Sequence, residues 1–254
     1  MRLAILADIH GNVLALEAVL RDIDRQGADM LFDLGDRVSG PLWPRETLDL
    51  MRKHAIPGVR GNHDRLAGSE SPDGLGPSDR FAFDALDAES RALLRALPFE
   101  ASPAPGICAF HATPQHDDRY VVEDIAEGRL VRAPADKITR RLGLVEASIV
   151  LFGHSHRPDL LRLPDRRWIL NPGSVGCAGY QDVTGRAHVS ESGTPLACYA
   201  LLTLTASGQP DVTFRALPYD NEAAARRAQE NGRPDWAAPL RSGWMPAALG
   251  GSAA

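Results

Sequence analysis

The sequence predicts an α/β fold built on mixed β-sheet, and three observations lead there. Apolar runs rich in β-formers alternate with helix-period segments early in the chain, the pattern of βαβ units. From about residue 159 the apolar runs are separated by turn-rich pieces such as "LPDRR" instead of helices, which points to antiparallel neighbours. Polar residues with chemistry follow several of these runs directly, as they do where an open α/β sheet presents strand ends to a crevice.

The first strand is "RLAILA" at 2–7, followed by a helix over about 12–26 ("NVLALEAVLRDIDRQ"). A strand at 29–34 ("DMLFDL") and a helix at 44–54, opened by Pro44, complete the first unit. Further strands fall at 106–110 ("GICAF"), 147–152 ("ASIVLF"), 166–170 ("RRWIL") and 197–205 ("ACYALLTLT"), and "IPGVR" is a shorter extended run. Long loops are expected at 65–79 and 112–119. A principal domain over 1–220 is expected to precede a tail over 221–254 that holds a short helix and then disorder, because the end, "MPAALGGSAA", loses periodicity.

A chain of 254 residues suits one large α/β domain and can bury most of its apolar surface. Cys108, Cys177 and Cys198 are widely spaced, with no C-x-x-C, so neither a disulfide framework nor a cysteine zinc site is indicated, and a reducing cytoplasm is expected. No apolar run reaches membrane-spanning length. Lys plus Arg number 28 against 33 for Asp plus Glu, a formal charge of −5, and no basic block is present to track a phosphate backbone. Long nucleic acid and membrane are therefore not expected partners. Small phosphate esters are not excluded, since bound metals can reverse local charge.

Of eight histidines, five (His10, His63, His111, His154, His156) stand immediately after predicted strands or runs, together with Asp8, Asp36, Asn62 and Asp64. Two histidines one residue apart in "GHSH" cost stability if both are charged and desolvated, so the pair suggests a cation that takes neutral nitrogen ligands. If Asp8-x-His10 and His154-x-His156 are extended, each pair presents its side chains on one face and aims them at common metals. Glycines at 11, 35, 61 and 153 allow tight turns or close approach around such a pocket.

Together "DIHGN", "GDRVSG", "GNHD", "FHATP", "GHSH" and "NPGS" resemble the calcineurin-like metallophosphoesterase superfamily over roughly residues 1–216, in particular its small bacterial and archaeal phosphodiesterases. Departures are slight: Ser155 stands where threonine is common, and Cys177 lies in a variable stretch. The resemblance implies a four-layer α/β/β/α sandwich of two mixed sheets flanked by helices, with a dinuclear metal centre. It implies one metal held by Asp8, His10 and His156, a second by Asn62, His111 and His154, and Asp36 bridging. Mixed nitrogen and oxygen ligands without thiolate favour manganese or iron, with zinc, nickel or cobalt as further candidates.

Such a pair of divalent ions activates a bridging hydroxide, which attacks the phosphoryl group without a protein nucleophile. His63, beside Asn62 but not assigned to metal, is then free to protonate the leaving oxygen or stabilise charge, with Asp64 expected to orient its ring. Arg37, Arg65 and Arg157 are candidates for remote phosphates, Asn12 and Gly173 for supporting the ligands, and Tyr120, read as a helix start, for packing or base stacking. Cys177 reads as an ordinary buried thiol.

The expected activity is hydrolysis of a small, nucleotide-like phosphate ester, by phosphodiesterase action. A phosphomonoesterase or protein phosphatase, a mononuclear hydrolase of carboxylic esters or amides, and a non-catalytic scaffold with the same fold are the alternatives. Against the mononuclear reading, seven candidate ligands exceed the need of one ion. Against the scaffold, His63 has no purpose there. Selectivity would reside in the two loops, and no heptad or interface stripe sets an oligomeric state.

Overall fold

The computed structural model describes residues 1–205 and 209–246. The first strand, β1 (Arg2–Leu6), pairs in parallel with β2 (Met30–Asp33) and antiparallel with β12 (Ala197–Leu204), whose other edge carries β13 (Pro210–Leu217). A second sheet runs β3 (Glu100–Ala101), β4 (Ile107–Phe110), β7 (Ile149–Leu151), β9 (Trp168–Asn171), β8 (Asp159–Arg162), with its three central strands parallel and both edges antiparallel. Both sheets are mixed.

Alternation along β1 decides how they stack. Leu3 and Ile5 pack with Phe32, Ile107, Ala109, Leu151 and Leu170, so one face of the first sheet lies on the second. Ala4 and Leu6 point the other way, onto Leu16, Val19 and Ile23 of α1 (Val13–Gln26). Asn12 caps that helix by accepting from Ala15 N–H, and α2 (Pro44–Lys53) follows β2 with proline in its first turn. On the far side, Phe110, Val150 and Ile169 pack against Ile138 and Leu142 of α6 (Ala135–Leu142). Helix, sheet, sheet and helix thus form the four-layer sandwich that the resemblance implied.

Three regions differ from expectation. The loop expected at 65–79 shortens to 68–76, because α3 (Asn62–Ala67) and α4 (Pro77–Ala85) enter it from both sides, and α5 (Ala88–Ala96) follows, capped by Asp87. Two sheets were expected and three are present among the described residues: β5 (Glu123–Ala126), β6 (Arg129–Arg132), β11 (His188–Glu191) and β10 (Gly179–Asp182) form a smaller sheet, ordered β10-β11-β6-β5. Its strands are four residues long and largely polar, so they carry no hydrophobic run to announce them.

The tail holds two helices where one was expected. α7 (Asn221–Glu230) and α8 (Pro234–Ser242) close Ala224, Ala225, Ala228, Ala237 and Leu240 around Leu42, and Asn231 Nδ2 donates to the Pro41 carbonyl at 2.7 Å. The disordered end expected of "MPAALGGSAA" lies, from 247 onward, outside the described residues.

Candidate metal centre

Four strand ends meet at one edge of the sandwich: those of β1 and β2 from the first sheet, and of β4 and β7 from the second. Backbone bonds strap the loops pairwise. Asp8 N–H donates to Gly35 O (3.0 Å), His10 N–H to Asp36 O (2.9 Å) and Gly153 N–H to His111 O (2.8 Å). The two sheets are joined at the site itself, where His154 N–H donates to the Asp8 carboxylate (3.2 Å to Oδ2). The "NPGS" turn braces the same loops. Asn171 Nδ2 donates to Gly153 O (2.8 Å), and Ser174 Oγ to Asp8 O (2.7 Å).

The backbone is not extended there. Asp8, His10, Asp36, His154 and His156 all have left-handed φ, between 50° and 67°, and they are five of the eight non-glycine residues with positive φ among those described. The other three, Ala55, Glu127 and Arg166, lie in turns and at a helix end. Each such residue costs on the order of 1–3 kcal/mol, so this concentration marks a built site. The expectation that each i, i+2 pair shares one face of an extended segment is corrected. The side chains converge because alternate residues adopt the left-handed conformation, which folds each loop inward. Gly61 is required for a related reason: a methyl group there would collide with Asp36 Oδ1.

Oxygen and nitrogen donors crowd together in this pocket. Donor atoms of Asp8, His10 and Asp36 lie within 4.8 Å of one another, as do those of Asp36, His111 and His154, and those of His10, His156 and Cys177. Asp36 is common to the first two groups. Its Oδ2 lies 3.2 Å from His111 Nε2 and 3.8 Å from His10 Nε2, while His156 Nε2 lies 3.4 Å from Asp8 Oδ1. Asn62 opens α3, and its Oδ1 is buried without a hydrogen-bond partner.

Tautomers identify what the donors face. His10 Nδ1 lies 2.8 Å from Ser39 O, His111 Nδ1 2.7 Å from Leu34 O, and His156 Nδ1 2.8 Å from Cys177 O. A carbonyl only accepts, so each Nδ1 carries hydrogen and each neutral ring turns a bare Nε2 lone pair into the pocket. His10 Nε2 and His156 Nε2 then meet at 3.1 Å, lone pair to lone pair, and His111 Nε2 faces a carboxylate with no hydrogen bond. Only positive charge between them, a proton or a cation, makes these contacts favourable.

The pKa values divide these histidines into two pairs. Burial, helped by His156, lowers His10 to about 4, and burial with His111 lowers His154 to about 3, leaving both neutral and ready to ligate. Burial also opposes charge on His111 and His156, but Asp36 raises His111 to about 9 and Asp8 raises His156 as well. The residues present fit divalent cations.

His63 is held differently. Its Nδ1 pairs with Asp79 Oδ1 at 2.7 Å, its side chain is 32% exposed, and its N–H donates to Asp36 Oδ1 at 2.9 Å. Burial disfavours the imidazolium, yet Asp79 and Asp36 outweigh it and raise His63 to about 10. Ser39 Oγ donates to the same Asp79 oxygen (2.8 Å).

The orienting role expected of Asp64 therefore falls to Asp79. The Asp64 carboxylate instead accepts from the backbone N–H groups of Asp36 (2.8 Å), Arg37 (2.9 Å) and Gly61 (2.9 Å), tying two loops together. Sequence reasoning missed Asp79 and Ser39. An aspartate in the first turn of a helix reads as a cap, and its contact with His63 exists only because α4 packs on α3.

The remaining candidates are engaged within the protein. Buried Arg37 pairs with Asp33 (2.8 Å), Arg65 with Asp117 (2.7 and 3.0 Å), and Arg157 donates to Leu130 O (2.7 Å). Asn12 Nδ2 donates to Gly176 O (3.0 Å), Gly173 N–H to Asn171 Oδ1 (2.9 Å), and Cys177 is buried. Tyr120 lies in a loop rather than at a helix start, stacked on His154.

Comparison with known proteins places this geometry. A family described as the calcineurin-like phosphoesterase superfamily domain matches residues 1–192. The chain is 30% identical over 198 residues to an uncharacterized protein, MJ0912, of Methanocaldococcus jannaschii, across 68% of this chain and 76% of that one. Among solved structures it is similar to a metallophosphoesterase from Sphaerobacter thermophilus, with 26% identity, a TM-score of 0.73 and coverage of 96% of this chain and 100% of the other. A hypothetical protein, PH1004, from Pyrococcus horikoshii OT3 shares the fold at 20% identity and a TM-score of 0.74, with 96% and 99% covered. The chain belongs to the calcineurin-like phosphoesterase superfamily.

Proposed function

We propose that this phosphoesterase family member is a dinuclear metal-dependent phosphodiesterase acting on a small, nucleotide-like phosphate ester. The observation that carries the reading is Asp36, whose carboxylate is shared between two groups of donor atoms that otherwise hold separate histidines. Asp8, His10 and His156 would hold one divalent cation and Asn62, His111 and His154 the other, with Asp36 common to both. When bound, such a pair supplies Lewis-acid polarisation of the phosphoryl oxygens and an activated water.

The chain's own residues do the rest. Ser39, Leu34 and Cys177 carbonyls fix three imidazoles with Nε2 inward, so no reorientation is needed on binding. The peptide N–H of His63 holds Asp36 Oδ1, fixing the shared carboxylate. Asp79 keeps His63 protonated, with Nδ1 occupied and Nε2–H left as the donor to a departing alkoxide. Asp64 is a positioning residue that joins the loops carrying Asp36 and Asn62.

Hydrolysis of bis(p-nitrophenyl) phosphate and of a panel of nucleotide mono- and diesters, before and after verified metal removal and manganese return, tests this. Diester turnover restored by manganese supports the reading. Turnover that survives complete metal removal, or preference for monoesters across the panel, overturns it.

A further inference from the structure

The small sheet β10-β11-β6-β5 has no part in the chemistry above, yet it reaches the site. Tyr120, just ahead of β5, stacks its ring on that of His154, with centroids 4.8 Å apart and planes 28° apart. Tyr180 of β10 sets its ring edge to face against His156, at 4.7 Å and 67°. Both histidines of "GHSH" thus have a tyrosine against them, and the Tyr120 hydroxyl joins that of Tyr180 to His188, the buried first residue of β11.

Proton counting gives this group a direction. His188 Nδ1 lies 2.8 Å from Arg186 O, which only accepts, so the neutral ring carries its hydrogen there and Nε2 accepts from the Tyr120 hydroxyl at 2.6 Å. The Tyr120 oxygen accepts in turn from the Tyr180 hydroxyl at 2.7 Å, and the same hydroxyl also donates to the His154 carbonyl oxygen 3.2 Å away, so its single hydrogen is shared between the two. The order Tyr180, Tyr120, His188 is anchored on backbone at the Arg186 end. Tyr120 also borders an open cavity of about 850 Å³, so packing alone does not confine it and the hydroxyl chain sets its plane.

We propose that Tyr120, Tyr180 and His188 form a positioning unit that holds the His154 and His156 imidazoles in the orientation that binds divalent cation, which makes the accessory sheet part of the metal site. The proposal rests on the reading that the cluster binds metal. None of the three touches a reacting atom.

Two measurements test it, one of them independent of metal. In chelator-treated protein the His154 ring protons are shifted upfield by the stacked tyrosine in NMR spectra, a shift weakened in Tyr120→Phe, which lacks the hydroxyl that sets the ring plane, and lost in Tyr120→Ala. In manganese titrations by calorimetry, Tyr120→Ala weakens binding about 10–100-fold, the scale for the outer partner of a ligating histidine. His188→Leu loses about tenfold, and His188→Gln, whose amide oxygen also accepts from Tyr120, restores binding to within about threefold.

Circular dichroism of the chelated variants verifies folding, and the His188 pair carries the test if Tyr120→Ala does not fold. Wild-type binding with unaffected variants overturns the proposal alone, as does a His154 signal unmoved in Tyr120→Ala. Wild-type protein that binds none of manganese, iron or zinc overturns the metal reading, and the proposal with it.

Discussion

The floor and the rim of the pocket hold histidine in opposite ways. On the floor, His10, His111 and His156 give their Nδ1 hydrogens to the carbonyls of Ser39, Leu34 and Cys177. At the rim, His63 gives its Nδ1 hydrogen to the Asp79 carboxylate, which Ser39 also supports. A carbonyl on Nδ1 fixes which nitrogen carries the hydrogen and leaves Nε2 to face a proton or a cation, whereas a carboxylate on Nδ1 favours the imidazolium and leaves Nε2–H as a donor. The same side chain thus becomes a candidate ligand or a candidate proton donor according to its partner two bonds away.

The largest effect should come from the floor. Asp36→Asn removes the charge shared by the two groups of donors, and metal content and diester turnover should fall together, turnover by roughly 10³-fold. Plasma mass spectrometry alongside the hydrolysis assay checks this. Full metal content in the variant would break the assignment of Asp36.

At the rim, His63→Gln should leave metal content intact and slow turnover by about 10²–10⁴-fold, with greater loss for an alkyl or ribose leaving group than for an activated aryl one. Equal losses across leaving groups would make His63 a charge stabiliser instead. Asp79→Asn should cost less, about 10–100-fold, and leave a diagnostic pH profile. Asp79 raises the pKa of His63, so the protonated donor is present at low pH and lost as pH rises through that value. Without the carboxylate, the alkaline limb of kcat should move to lower pH, and an unmoved limb would detach Asp79 from the chemistry.

The smallest effect on turnover should come from a buried carboxylate outside the pocket. Asp22 of α1 accepts from Tyr199 (2.8 Å) and Arg215 (2.9 Å); burial opposes its ionisation, but these donors hold its pKa below the usual carboxylate range. Its stabilisation is therefore present above about pH 4 and lost as pH falls through the depressed value. Asp22→Asn should flatten the acid end of the stability profile by about 1–3 kcal/mol and leave kcat per folded molecule unchanged, as urea unfolding between pH 3 and 7 would reveal. A kcat change would show that α1 communicates with the site.

The long apolar strands were legible in the sequence because burial on both faces requires continuous apolar runs, as "RLAILA" and "ACYALLTLT" show. The small sheet was not, since its strands are short and polar and its two halves join across about sixty residues of chain, where Val189 pairs with Arg129. The left-handed turns at Asp8, His10, His154 and His156 were equally hidden. Nothing in the residue types demands that conformation, which the bonds of neighbouring loops impose.

By itself the sequence determined which residues meet. Polar side chains placed directly after apolar strands are carried to a common edge once those strands join sheets, so Asp8, His10, Asp36, Asn62, His111, His154 and His156 were identifiable as one constellation. Only the tertiary structure decided how each is held. Asp79 rather than Asp64 took His63, and Tyr120 and Tyr180 came to rest on the "GHSH" rings. The physical reason is range: strand position is encoded locally by hydrophobicity, while a side chain's hydrogen-bond partner depends on which distant loop the packing brings within about 3 Å.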